Sequence, residues 1–299
     1  MAANMVVVIP TSNRADLLQR TLISLSDCKL PNIYRGTIVV ENGSRKVAES
    51  IAKRFQQKLN LRYIYLRYGN KSHALNSVLA TIDDSLVVFF DDDVRMEPGI
   101  LEAYAEASKE KDSGEFYGGP FQVDYVKPPP EWLKEFLPRS AVGWSLGQEP
   151  QRIQKGNLFT GFNWAAFSCD LRNLNGFSVD HGPGSKTSAV GQETEMEGRL
   201  LASGIVGRYV PSAMVWHYVP PERCSRQFAS SRAYRWGLQG GLTSSGSVIP
   251  LIRDWLKSGI KTLLRIRNSD PGRSFAPYMD FRFKTGVMKG RIIRLISQK

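Results

Sequence analysis

The sequence predicts an α/β fold in which a mostly parallel central sheet is flanked by helices and followed by a basic helical extension. Over the first 110 residues, short apolar runs alternate with stretches of helical periodicity, as expected when helices join parallel strands. The apolar run Ser85–Phe90 leads directly into Asp91, Asp92 and Asp93, so charged side chains follow the end of a strand. Residues 223–299 hold 16 Lys and Arg against 3 Asp and Glu.

The composition is that of a folded protein whose positive charge is concentrated at one end. Of 299 residues, 42% are hydrophobic and 23% are charged, and the formal net charge is +12. Residues 1–222 hold 24 basic and 25 acidic side chains and are nearly neutral. The excess positive charge therefore lies in residues 223–299, and it indicates an anionic partner for that segment alone. No apolar run reaches the length of a membrane-spanning helix, and no signal-peptide pattern is present. The cysteines Cys28, Cys169 and Cys224 are in no metal-binding spacing and are expected to be reduced thiols of a cytoplasmic protein.

The elements of the first half follow from apolar periodicity and turn residues. The Val-rich run at 5–9 is closed by Pro10 and predicts a buried strand. Leucines at helical spacing predict a helix over 13–26. By the same criteria we expect strands at 36–40, 61–66 and 86–90, and helices at 47–59, 73–82 and 99–109.

The second half is less regular, because Gly and Pro clusters break residues 114–191 into loops and short strands. His181 lies in one such loop and is expected to face solvent. A helix is predicted at 192–203, and short strands are predicted at 206–209 and 213–216, with His217 just after the last strand. We therefore expect a first domain of residues 1–222, made of the halves 1–110 and 111–222, and an extension of residues 223–299.

The acidic triplet predicts a cation site. Adjacent carboxylates repel one another and lose hydration on burial, and a divalent ion removes both costs. Hard oxygen ligands suit Mg²⁺ or Mn²⁺, which commonly bridge a carboxylate to substrate phosphates. A solvated acidic turn that caps the next helix is the alternative interpretation.

Four further motifs accompany predicted strand and helix ends. Glu41–Ser44 is a turn after a strand, and Asn70–Asn76 opens a helix, whose N-terminus attracts phosphate. Gly191–Glu195 opens another helix, and Trp216–Arg223 closes the region before the basic extension.

In this order and spacing, the motifs resemble those of family 2 glycosyltransferases with the GT-A fold, over roughly residues 5–240. Val8–Arg14 resembles the signature of the first strand, and Val39–Ser44 resembles the second, in which Glu41 replaces the usual Asp that reads the nucleobase. Phe90–Asp93 resembles the D-x-D element, and Gly161–Ala165 resembles a segment that lines the sugar and acceptor site. Gly191–Glu195 resembles the acidic motif of the catalytic base, with Gln192-Glu193 in place of Glu-Asp.

The resemblance implies a role for each candidate site residue. The catalytic base is Glu193. The metal ligands are Asp91, Asp93 and His217. The residues expected to contact the nucleotide-sugar donor are Pro10, Thr11, Asn13, Arg14, Glu41, Asn70, Lys71, His73, Asn76, Asp91 and Asp92. The sugar and acceptor are expected to contact Asn163, Trp164 and Glu195.

The implied reaction moves a sugar from a UDP- or GDP-type donor to a hydroxyl of a glycan or lipid-linked glycan, with Mn²⁺ or Mg²⁺ as cofactor. Such an ion neutralises the leaving diphosphate, and a carboxylate takes the proton of the incoming hydroxyl. A single displacement with one base inverts the anomeric centre, so we predict inversion. The nucleotide-sugar is expected to bind the half 1–110, and the acceptor the half 111–222.

The basic extension is predicted to be amphipathic. Residues 249–266 place Ile252, Trp255, Leu256, Ile260, Leu263 and Leu264 on one face and Arg253, Lys257, Lys261 and Arg265 on the other. Residues 287–296 alternate apolar side chains with Lys289, Arg291 and Arg294 in the same manner. Such helices are typical of peripheral binding to anionic membranes, here at the inner face of the cell membrane. Packing on the body or against a second copy is the alternative, and nucleic acid is not expected, because no nucleic-acid motif accompanies the charge.

Other interpretations stay open. Glu193 and Glu195 would suit the first turn of any helix, His217 could be a packed histidine, and Trp164 could serve the core. At the level of function, the rivals are a nucleotidyltransferase that makes an activated sugar and a non-enzymatic membrane scaffold. A nucleotidyltransferase normally needs a glycine-rich phosphate loop after the first strand, and Pro10–Arg14 contains no glycine. The presence of Asp91, Asp93 and Glu193 argues against an inactive scaffold.

Overall fold

The computed structural model describes residues 3–154, 156–180, 182, 184, 191–244, 248–265 and 269–297, and His181 lies outside them. The chain divides into two compact units. The first comprises Met1–Asp124 and Gly143–Tyr218, and the second comprises Tyr125–Val142 and Val219–Lys299. The domain boundary expected at residue 222 stays a prediction.

The strands follow the apolar runs of the sequence closely. They are β1 Asn4–Thr11, β2 Tyr34–Asn42, β3 Leu61–Leu66, β4 Ser85–Phe90, β5 Val94–Met96, β6 Glu115–Gly118, β7 Phe121–Tyr125, β8 Gln151–Arg152, β9 Asn163–Phe167, β10 Val206–Tyr209 and β11 Val215–Val219.

Within the described residues, eight strands form one sheet in the order β3-β2-β1-β4-β9-β6-β10-β8. The first four are mutually parallel, as predicted, so their carboxyl ends lie at one edge of the sheet. In the irregular second half, β9 runs antiparallel to both β4 and β6. A smaller sheet has the order β5-β11-β7.

Helices of the first unit cover both faces of the large sheet. The helices of the chain are α1 Ala15–Ser26, α2 Glu49–Arg54, α3 Lys71–Leu79, α4 Ile100–Ala107, α5 Glu131–Lys134, α6 Ser168–Asn173, α7 Gln192–Ala202, α8 Arg226–Thr243, α9 Ile249–Arg265 and α10 Pro271–Ser297. Of these, α5 and α8–α10 belong to the second unit. Alternate residues of β1 point to opposite faces, where α1 covers Val7 and α3 covers Val8. The helix predicted at 47–59 ends at Arg54, because the chain turns to bury Leu59 and Leu61 in the core.

The position of His217 differs from the prediction, which placed it after a strand at 213–216. It lies inside β11, because antiparallel pairing with β5 extends the strand and places His217 opposite Val94. Burial alternates along β11, so His217 points inward while Trp216 and Tyr218 are partly exposed on the other side.

In the second unit, α8 and α10 approach through two pairs of glycines. Gly237 and Gly241 of α8 lie against the backbone of α10, and Gly286 and Gly290 of α10 lie against the backbone of α8. A Cβ atom at any of the four would overlap a carbonyl oxygen of the opposite helix. This spacing of small residues permits close backbone packing.

Two details of the basic extension differ from the predicted helix faces. Arg291 is buried and donates to the carbonyl of Ser244, to which Arg294 also donates at 2.6 Å. Both therefore neutralise the carboxyl end of α8, where the helix dipole favours cations. Trp255 does not share the outward apolar face of α9, because it stacks on Phe281 of α10.

Candidate active site

The three consecutive carboxylates lie at the carboxyl end of β4, in the first unit. Asp92 and Asp93 are only 2% and 5% exposed, and Asp91 is partly buried. Burying adjacent like charges is costly unless each carboxylate has a positive or hydrogen-bonding partner. The partners come from the neighbouring strand β1, from α3 and from β11.

Asp92 and Asp93 are held by the last residue of β1 and by the segment that follows it. Arg14 Nη1 lies 2.6 Å from Asp92 Oδ1 and 3.1 Å from Asp93 Oδ2, and Thr11 Oγ1 donates to Asp92 Oδ2 at 2.6 Å. Burial raises the pKa of the Asp92 carboxyl, although Arg14 opposes the rise. Burial alone would lower the pKa of Arg14, but Asp92 and Asp93 outweigh it and raise the pKa. The guanidinium therefore remains charged and pairs with two of the three carboxylates.

Lys71 joins Asp91 to Glu193. Its Nζ atom lies 2.7 Å from Asp91 Oδ1 and 2.7 Å from Glu193 Oε1. Burial raises the pKa of the Asp91 carboxyl; Lys71 opposes that rise, whereas Asp93 and Glu193 add to it. Burial would lower the pKa of Lys71, but the two carboxylates outweigh it, so the pKa is raised and the side chain is an ammonium ion. Residues far apart in sequence, from α3, β4 and α7, thus meet at one point.

His217 reaches the triplet from β11. Its Nε2 atom lies 3.5 Å from Asp93 Oδ1, and its ring stacks on Phe162 with centroids 4.4 Å apart. The backbone N–H of Tyr218 donates to the carbonyl of Asp93 at 2.8 Å, which fixes β11 beside the triplet. Stacking and strand pairing together orient the imidazole toward the carboxylate.

The donor chemistry fits a divalent cation. Asp91 and Asp93 would supply carboxylate oxygens, the ligand type that suits Mn²⁺ or Mg²⁺, and His217 would supply an imidazole nitrogen. As they stand, the described residues contain no group of three His, Cys, Asp or Glu side chains arranged to hold a metal ion. The arrangement instead pairs Asp91 with Lys71.

Glu41 lies at the end of β2 and is fully buried. Its Oε1 accepts from the backbone N–H of Val47 at 2.9 Å, and its Oε2 accepts from Ala48 at 3.0 Å and from the hydroxyl of Tyr63. The carboxylate therefore orders the loop before α2, and its predicted contact with a nucleobase stays a prediction.

Pro10 and Asn13 flank the residues that hold the triplet. Pro10 is buried in β1, whereas Asn13 is exposed with a φ of 57°. A Cβ atom at Gly43 would lie 3.7 Å from Asn13 Nδ2, so Asn13 sits beside the turn after β2. Their donor contacts stay predictions.

The side chains of the asparagines in the α3 motif hydrogen-bond to backbone groups of the first unit. Asn70 caps α3 by accepting from the N–H of His73 at 2.9 Å. Asn76 donates to the carbonyl of Phe177 at 2.8 Å and accepts from its N–H at 2.7 Å. The side chain of His73 is exposed and meets the ring of Tyr68 edge-on. Of this motif, only Lys71 makes a described contact with the acidic residues.

The three residues expected to contact sugar and acceptor also have structural partners. Asn163 is fully buried and accepts from the hydroxyl of Tyr104 at 2.7 Å, and Trp164 is fully buried against Phe89. Glu195 pairs with Arg199 at 2.6 Å. Each of the three side chains therefore has a partner within the first unit. Their contacts with sugar and acceptor stay predictions.

Two neighbours of Glu193 lie in motifs noted in the sequence but were not among the predicted site residues. A Cβ atom at Gly161 would overlap the Glu193 carboxylate. The observed position of the Glu193 side chain therefore requires glycine at residue 161. Gln192 is fully buried, and its side-chain amide has no hydrogen-bond partner among the described residues. The glycine before Phe162 was visible in the sequence, but its closeness to Glu193 depends on the pairing of distant segments.

Comparisons with known proteins identify the family and the fold. Residues 6–172 match the model of the family described as Glycosyl transferase family 2. Chondroitin synthase of Escherichia coli is 30% identical over 244 residues, which are 72% of this chain and 34% of that protein. Chondroitin synthase of Pasteurella multocida is 24% identical over 245 residues, 72% of this chain and 25% of that protein. The chain thus spans about a third or less of the length of these curated relatives.

Solved structures share the fold at low sequence identity. The mannosyltransferase PcManGT from Pyrobaculum calidifontis, in complex with GDP-Man and Mn²⁺, has a TM-score of 0.61 and 15% identity, covering 100% of this chain and 89% of that one. Residues 1–349 of S. aureus TarS, in complex with UDP-GlcNAc, have a TM-score of 0.54 and 12% identity, covering 99% and 91%. These likenesses confirm the predicted α/β fold of the GT-A type, and the family match covers more than half of the chain. The chain therefore belongs to glycosyltransferase family 2.

Proposed function

We propose that this chain is a glycosyltransferase that moves a sugar from a nucleoside diphosphate to a hydroxyl acceptor with inversion at the anomeric carbon. The observation that carries the proposal is the contact of one ammonium group, Lys71 Nζ, with both Asp91 and Glu193 at 2.7 Å. It brings a carboxylate suited to a diphosphate-bound metal and a carboxylate suited to a general base to the same point. Glycosyl transfer needs both groups beside one anomeric carbon.

The donor diphosphate is proposed to bind beside the triplet. Arg14 and Lys71 are both charged there, and cations stabilise a leaving diphosphate electrostatically. Asp91, Asp93 and His217 would hold Mn²⁺ or Mg²⁺, which supplies Lewis-acid neutralisation of that charge when bound. PcManGT in complex with GDP-Man and TarS in complex with UDP-GlcNAc support a nucleotide-sugar donor, but they do not distinguish between bases or between sugars.

Glu193 is proposed to take the proton of the attacking hydroxyl. Its carboxylate accepts a hydrogen bond from Lys71 and lies close to Gly161. A base held in place in this way is typically worth about 10²–10⁴ in rate. A single displacement with that base inverts the anomeric centre, whereas retention would need a nucleophile on the opposite face.

We propose a glycan or a lipid-linked glycan as acceptor, reached by a peripheral protein at the cytoplasmic face of the membrane. The similarity to two chondroitin synthases supports a glycan. None of the helices in the described part of the chain is long and apolar enough to cross a bilayer.

The test measures sugar transfer and donor hydrolysis with Mn²⁺ by the full chain, Asp93→Ala, Glu193→Gln and the control Glu106→Gln, whose side chain is 77% exposed in the same unit. We expect at least about a hundredfold loss of kcat for Glu193→Gln and for Asp93→Ala, and no loss for the control. Product anomers assigned by NMR test inversion. Equal turnover in all four proteins would refute the assigned roles, and release of pyrophosphate instead of a nucleoside diphosphate would indicate a nucleotidyltransferase.

A further inference from the structure

Helix α9 carries its large apolar side chains on its outer surface. Six of them recur at helical spacing along one face. The exposed fractions are 77% for Ile249, 42% for Ile252, 51% for Leu256, 58% for Ile260, 72% for Leu263 and 79% for Leu264. We call these six residues the α9 apolar stripe, which is about 22 Å long at the rise of an α-helix.

A different face of α9 packs on α10. Trp255 stacks on Phe281 with ring centroids 5.6 Å apart and donates from Nε1 to the hydroxyl of Thr285 at 3.0 Å. Ser258 is buried on the same face, with 2% of its surface exposed. Folding of the second unit therefore does not use the α9 apolar stripe. A soluble helix normally buries such a stripe, and one left outside indicates an interaction surface.

Basic side chains run along the flank of the stripe. Arg253, Lys257, Lys261 and Arg265 follow one another at four-residue spacing, which places them on neighbouring turns of the helix. Asp254 is the single acid between residues 249 and 265, and it lies 3.4 Å from Arg253. The flank therefore carries a net positive charge.

We propose that the α9 apolar stripe and its basic flank form the surface with which this protein binds an anionic lipid bilayer, the helix lying in the plane of the interface. Charge complementarity favours this occupant, since anionic headgroups match the cationic flank while acyl chains receive the apolar side chains. A second copy joined through the stripe would bring two basic rows to one interface, with only one acid on each α9 to offset them. The inference deepens the membrane location in the proposed function, and it can be tested without donor or acceptor.

The experiment measures binding of the full chain to vesicles of phosphatidylcholine with and without phosphatidylglycerol, by flotation at low and physiological salt. The test variant replaces Leu256, Ile260, Leu263 and Leu264 by Gln, and the control variant replaces two exposed apolar residues of the first unit, Ile23 and Val179, by Gln. All six side chains are 45% to 79% exposed, so both variants keep their packed cores. Circular dichroism checks that each variant retains its helices.

We expect the unmodified chain and the control variant to float with anionic vesicles, more strongly at low salt. Binding of the test variant should fall at least tenfold, because each substitution removes a side chain from the acyl region. Replacing Lys257 and Lys261 by Gln should weaken binding to anionic vesicles at least tenfold, because it removes two cations that attract anionic headgroups. Transfer to a water-soluble acceptor should be unchanged in the test variant, which separates failure of membrane binding from failure of the glycosyltransferase proposal.

Absence of binding to anionic vesicles by the unmodified chain would overturn the proposal, as would equal binding by the test variant. Light scattering measures the oligomeric state of the same samples. A dimer that the test variant abolishes, without any vesicle binding, would assign the stripe to a second copy and also overturn the proposal.

Discussion

Lys71 balances the negative charge of two carboxylates in the site. Its ammonium group contacts Asp91, which follows β4, and Glu193 of α7, and these two carboxylates would otherwise repel one another. A donor diphosphate would offer Lys71 an alternative anion, and the carboxylates would then need another cation. The pairing in the structure is therefore consistent with joint binding of a donor and a metal ion.

Gly161 provides a prediction at the scale of one residue. Gly161→Ala should lower kcat at least tenfold, because the new Cβ atom would displace the Glu193 carboxylate. Gly156→Ala is the matched control, since a Cβ atom there meets nothing within 4 Å. Steady-state kinetics of both variants measure the effect, and thermal unfolding shows whether each is folded. Equal kcat values would mean that the close contact does not hold Glu193 in its working position.

The glycine pairs of α8 and α10 decide the packing of the second unit at the scale of elements. Their spacing brings the two helix backbones together without intervening side chains. The carboxyl end of α8 is completed by Arg291 and Arg294 from the other helix. Two of the basic residues counted in the extension are therefore used inside the fold.

We predict that Gly290→Ala destabilises the protein by about 1–3 kcal/mol, because a Cβ atom would overlap the carbonyl oxygen of Leu238. Gly240→Ala in α8 is the control, since its Cβ atom meets nothing within 4 Å and alanine favours the helix by up to about 1 kcal/mol. Denaturant unfolding followed by circular dichroism measures both. If the two variants unfold alike, the helices do not depend on this close approach.

Donor binding is expected to stabilise the whole molecule. A nucleoside diphosphate with Mn²⁺ should raise the free energy of unfolding by about 2.7 kcal/mol at a hundredfold excess over its dissociation constant. A thermal-shift screen of UDP and GDP, with Mn²⁺ or with a chelator, measures this and identifies the preferred base. The increment that depends on Mn²⁺ should disappear in Asp93→Ala. No shift with any nucleotide and metal would contradict the proposed donor site.

Much of the first unit was predictable because its signals are local. A Val-rich run closed by Pro10 can form a buried strand, and four such runs separated by helices favour a parallel sheet. The acidic triplet could likewise be placed at a strand end. The extent of β11 could not be predicted, because it depends on pairing with β5, more than 100 residues earlier in the chain.

The sequence by itself determined the α/β class, the alternation of strands and helices, the acidic motifs and the basic charge of the extension, because each depends on neighbouring residues. Only the tertiary structure decided which polar groups meet. It brought Lys71 to Glu193, committed Asn163 and Asn76 to internal hydrogen bonds, and turned the α9 apolar stripe outward. Such outcomes depend on distances between segments far apart in sequence, which no local pattern specifies.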